Sequence, residues 1–157
     1  MTFNASASVE ANNEVLIVQQ QISVVTIGIR ERARSRRFYT EGFGWTPVFE
    51  NDEIIFYQMN GLMLGTFLFP ALEADMNRQG SVGPAAFSLG HNVPDKDDVE
   101  PLIERLLSAG GTILRPADAP THGGFRGYVA DPDDHAWEIA WNPAWTIDGQ
   151  GHVTFGL

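Results

Sequence analysis

The chain has 157 residues and a formal net charge of −10, with 43% hydrophobic residues, 19% charged residues and no cysteine. That length carries a sizeable core in one domain or two small fused modules, and the composition is globular rather than disordered. The lack of cysteine excludes disulfides, a thiolate zinc site and a cysteine nucleophile, while the acidity argues against nucleic acid or an anionic membrane as partner. No apolar run approaches the roughly 20 residues of a membrane span. Residues 1–21 lack an early basic cluster, and their apolar run "VLIV" is too short for a signal peptide. The expectation is a polar N-terminal extension on a cytoplasmic protein.

"ISVVTIGI" (22–29) is β-branched and apolar, hence a strand. "RERARSRRFYTEGFG" (30–44) reads as a short helix stopped by Gly42 and Gly44. Three short strands follow, "WTPVFEN", "EIIFYQMN" and "GLMLGTFLF", with Asn60-Gly61 as a hairpin turn. Residues 70–84 suggest one helical turn and a Gly-rich linker. "AAFSLGHNV" (85–93) is again a strand. Asp95 can cap the next helix, where Val99, Leu102, Ile103, Leu106 and Leu107 recur at helical spacing. Gly110-Gly111 ends it, and "TILRPA", "FRGYVADP" and "HAWEIAWNP" are three further strands joined by the 131–134 turn. "NPAW" and the tail suggest a short closing hairpin.

Each half therefore runs strand, helix, three strands. This internal repeat predicts an α+β fold of two βαβββ modules, residues 22–70 and 85–143, joined by a linker at 71–84 and followed by a tail at 144–157. Their curved mixed sheets would enclose a concave cavity, the natural place for a ligand.

"VTIGIRERARSRRFYTEGFGW" and "GGFRGYVADPDDHAWEIAWNP" together resemble the vicinal oxygen chelate superfamily, the group of glyoxalase I, bleomycin resistance proteins and extradiol dioxygenases. The resemblance covers about residues 22–145. It implies the paired-module fold, a homodimer and, in metal-dependent members, one ligand on each of four strands. The glutamate of the closing motif falls on Glu138. The other three ligand positions fall on Val24, on Gly65, and on Pro84 or Ala85, none of which binds a metal through its side chain. A catalytic site normally needs about three protein ligands, so neither a metal nor another cofactor is expected.

Strand alternation sketches the cavity. If Glu138 faces inward, so do Ala136 and Ala140. Ala86, Ser88 and Gly90 join them from the first strand of module two, with Val24, Thr26, Gly28 and Arg30 from the first strand of module one. Most of these side chains are small and leave volume. Phe56, Tyr57, Met63 and Phe67 could form walls. Glu138 itself has three readings: a carboxylate satisfied by Arg126 or Thr26, an anchor for a cationic or hydroxylated ligand, or a general base with His122 or Tyr57 as partner. His122 lies in a Gly-flanked loop of the kind that borders pockets. His91 shares the core parity of Phe87 and Leu89, and Trp137 and Trp141 suggest packing. The arginines at 30, 32, 34, 36 and 37 are either an anion clamp or a solvated face offset by "DKDDVE" (95–100), with Arg30 best placed to reach a ligand. The expected function is binding of a small organic molecule in a metal-free cavity. The alternatives are an enzyme using Glu138 as base, or a metal-dependent lyase, isomerase or dioxygenase with ligands not yet identified.

Overall fold

The computed structural model describes residues 20, 24–77, 79, 88–121 and 123–155. The N-terminal extension to residue 19, the strand start at 85–87 and His122 lie outside these. Module one holds β1 (Val24–Ile29), α1 (Arg32–Arg37), β2 (Pro47–Glu50), β3 (Ile54–Gln58) and β4 (Met63–Leu68). After α2 (Phe69–Met76), module two holds β5 (Leu89–Asn92), α3 (Val99–Ser108), β6 (Thr112–Asp118), β7 (Phe125–Ala130) and β8 (Ala136–Trp141). A hairpin of β9 (Trp145–Ile147) and β10 (Val153–Phe155) closes the described chain.

Each module builds its own four-stranded sheet, in the orders β1-β4-β3-β2 and β5-β8-β7-β6. The first strand of each module lies parallel to its last, and the other pairings are antiparallel. Neither sheet closes, so β1 and β5 each keep one unpaired edge among the described residues.

The apolar alternation shows which face each sheet buries. Ile27, Ile55, Tyr57 and Leu64 of the first sheet join Val129, Trp137 and Ile139 of the second in one core. Val99, Ile103 and Leu106 place one stripe of α3 in that same core. α1 continues directly into a π-helical turn, Phe38–Gly42, which buries Phe38 and Tyr39 side by side. α3 and the π-helical turn thus share the core with both sheets. The face of each sheet turned away from this core carries Thr26, Gly65 and Phe56 in the first and Gly90, Glu138 and Tyr128 in the second. Within the single chain a cavity of about 500 Å³ is lined by both modules, with Val25 and Leu64 of the first and Leu89, His91 and Trp137 of the second in its walls; Glu138 is not among them.

The turn joining β7 to β8 clasps the modules together. Asp131 accepts hydrogen bonds from the Tyr39 hydroxyl at 2.8 Å and from the backbone N–H groups of Asp133 and His135, each at 2.9 Å. Asp133 accepts the Arg30 backbone N–H at 2.7 Å, and His135 Nε2 meets the Gly28 carbonyl at 2.6 Å. All three side chains are buried, so each desolvated polar group needs such a partner. Burial raises the Asp131 pKa, while His135 and the Tyr39 hydroxyl act in the opposite sense.

α2 is longer than the single turn expected, and it lies over the outward face of the first sheet. The Phe69 ring rests on Gly28 and leaves no room for a Cβ there. Asp95 precedes a 3-10 turn, Lys96–Asp98, without capping it through its side chain. None of the helices described is long and apolar enough to cross a membrane.

Candidate functional site on the outward face of the second sheet

Strand register assembles the site. On β8 the core takes Trp137 and Ile139, so Glu138 between them points to the outward face, half-buried. Gly90 of β5 lies opposite it on one side and Tyr128 of β7 on the other. A Cβ at Gly90 would stand 4.0 Å from Glu138 Oε2, so the glycine leaves the carboxylate open from that side. Ser88 lies two residues before Gly90 on the same face. Glu138 and Ser88 both act on the Tyr128 hydroxyl. Burial, the Glu138 charge and the bond to Glu138 together raise the Tyr128 pKa above the usual phenol value, against the effects of Arg126 and Ser88.

Arg126 does not satisfy Glu138, as one reading expected. Its guanidinium is ion-paired to Asp118 and its side chain is 15% exposed. Arg115 reaches the same Asp118 at 2.8 Å. Thr26 does not reach Glu138 either. It lies on the other sheet, exposed, opposite Gly65. Phe56, Met63 and Phe67 share that outward face, where the Phe56 ring fills the space above Gly65. Tyr57 is no wall. It is fully buried in the core, where burial pushes its pKa up to about 12.

Arg30 is drawn to the clasp, 4.0 Å from Asp133 and 3.9 Å from Asp134. The other arginines pair locally rather than with residues 95–100. Arg32 and Arg36 hold Glu50, Arg37 holds Glu41, and Arg34 reaches Glu31 and the Pro132 carbonyl. His91 turns toward the core and packs its ring against Phe43 and Trp45, and burial lowers its pKa.

The sequence analysis missed Tyr128. The signal was present: the β7–β8 hairpin is centred on Asp133, and residues counted equally outward from it pair, which sets Tyr128 opposite Glu138.

Register also relocates one ligand position. The first and last strands of the two modules correspond residue by residue: Thr26 faces Gly65 as Gly90 faces Glu138. Two residues earlier on each first strand come Val24 and Ser88, so the position expected at Pro84 or Ala85 belongs to Ser88. The four positions then hold Val24, Gly65, Ser88 and Glu138. One carboxylate and one neutral hydroxyl are a poor donor set for a catalytic metal. Among the described residues, no group of three or more His, Asp or Glu side chains could hold a metal ion.

The model of the glyoxalase/bleomycin resistance protein/dioxygenase superfamily matches residues 21–139. The chain belongs to this superfamily. A glyoxalase-related enzyme from Fulvimarina pelagi is 56% identical, with a TM-score of 0.87 over 88% of this chain and 100% of that one. A superfamily enzyme from Burkholderia phytofirmans is 19% identical, with a TM-score of 0.65 over 76% of this chain and 96% of that one. A lactoylglutathione lyase from Agrobacterium tumefaciens is 21% identical, with a TM-score of 0.63 over 79% and 95% of the two chains. The last two likenesses speak for the fold alone. A search of curated proteins found no match.

Proposed function

We propose that this chain binds a small organic molecule against the Ser88–Tyr128–Glu138 face, without a metal, in a cavity that a second copy completes. The observation that carries this reading is Glu138: a half-buried carboxylate, directly across the ladder from Tyr128, with the open space of Gly90 beside it. The expected apolar walls, Phe56, Met63 and Phe67, belong to the first sheet, on the face of Thr26 and Gly65. A homodimer that sets β1 of one copy beside β5 of the other would extend the Gly90–Glu138–Tyr128 row with the partner's row of Thr26, Gly65 and Phe56. Two open four-stranded faces would become one trough.

A second reading is catalytic. Glu138 would act as general base and Tyr128 as its hydrogen-bonded acid partner, in the role first assigned to His122 or Tyr57. The direct pairing of the two residues across the β7–β8 ladder favours it, and the Fulvimarina pelagi relative is described as an enzyme.

Calorimetric titration with Mn²⁺, Ni²⁺, Zn²⁺ and Fe²⁺ tests the metal-free part. The expected result is no stoichiometric binding, in wild type or in Glu138→Gln. Tight binding at one ion per chain that Glu138→Gln abolishes would overturn it.

A further inference from the structure

Three observations on the Glu138 face bear on the kind of head group it accepts. First, Glu138 enters no ion pair among the described residues. Second, the Tyr128 hydroxyl group stands on the strand directly across from Glu138, and both Glu138 and Ser88 act on it. Third, the cations of this face are committed: Arg115 and Arg126 both close on Asp118. What remains open is acceptor capacity. An ionised carboxylate offers about four lone-pair sites, of which Tyr128 can take at most one. An incoming anion would meet the Glu138 charge with no free donor to hold it, and would have to break the Arg126–Asp118 pair. An incoming donor would satisfy a half-buried charge that has no cation of its own, a strong form of hydrogen bond. The net charge of −10 draws cations toward the whole chain in the same sense.

We propose that this site takes a ligand with a hydrogen-bond-donating head, a protonated amine before a hydroxyl, and rejects carboxylates and phosphates; this rests on the face being a ligand site at all. Gly90 is the entry side, because it leaves the near oxygen of Glu138 uncovered. Tyr128 is then a positioning residue that holds the carboxylate toward β5.

The test is NMR titration of the isotope-labelled full chain at pH 7 and fixed salt. The probes are amine, alcohol and carboxylate versions of three frames, 2-phenylethyl, 2-cyclohexylethyl and 2-(3-indolyl)ethyl, so that the body of the molecule is constant within each set. The amines are expected to shift the amides of Gly90, Glu138 and Ala140 and to bind about tenfold tighter than the matching alcohols. The carboxylates are expected not to saturate. Glu138→Gln should bring the amines down to the alcohols, while the alcohols still bind and so report an intact face. Carboxylates binding as tightly as amines at these amides would overturn the head-group assignment and leave the ligand site standing. An amine advantage that survives Glu138→Gln would also overturn it. Silence of these amides with all nine compounds would count against the ligand site itself.

Discussion

At the residue scale, Glu138 and Tyr128 answer each other across a strand pair. Burial is the largest cause of the raised Tyr128 pKa, and the Glu138 charge and hydrogen bond come next. Glu138→Gln removes the second and third causes and keeps the first. The Tyr128 titration, followed by the NMR shift of its ring carbon bearing the hydroxyl, should therefore move down toward the ordinary phenol value without reaching it. An unmoved titration would mean that the two side chains do not interact in solution. Glu138 was legible from the closing motif alone. Its partner was not named, because only one strand of the pair had been given a register. The setting of Arg30 was not legible either: the clasp beside it is formed by residues about a hundred positions away, which no local pattern reveals.

At the scale of elements, the periodicity that locates α3 and the strands was readable because each buries one stripe or one face. The clasp was not readable. "DPDD" has the composition of a solvent-exposed turn, and its burial is a property of the partner module. Tyr39 is the hinge of that contact. Its hydroxyl donates to Asp131 and accepts the Trp137 indole N–H at 3.2 Å. Tyr39→Phe leaves a buried carboxylate with one donor fewer and a buried N–H without this acceptor. A loss of about 1–3 kcal/mol is expected, measured as a lower urea midpoint at unchanged m-value. A loss below a few tenths of a kcal/mol would show that the clasp opens to water.

At the scale of the whole molecule, all three tyrosines have raised pKa values, Tyr39 well above its usual value and Tyr57 at about 12. The unfolded chain loses these protons near pH 10, so the folded state holds more protons above that pH. Stability is therefore fully present below about pH 10 and falls as pH rises through the folded values. Urea midpoints at pH 9 and pH 11 should differ in that order, and equal midpoints would argue that the phenols titrate normally. The proposed dimer is tested at its edge. Val24 is 46% exposed at the start of the β1 edge strand, and a lysine there would put a charge into the strand contact. Val24→Lys should shift the light-scattering mass from two chains toward one. A wild-type mass of one chain at high concentration would remove the second copy from the site.

The two modules share an order of elements but not their turns. In module one the β3–β4 turn, Asn60-Gly61, is exposed. Its counterpart in module two, residues 131–135, carries the buried Asp131, Asp133 and His135 that grip β1 and Tyr39. The halves have therefore lost interchangeability. A chain made of two copies of module one would have no plug, and one made of two copies of module two would have a plug without its socket. If the pair arose by duplication, it has since become a lock and key within one polypeptide, and each half now constrains which substitutions the other can accept.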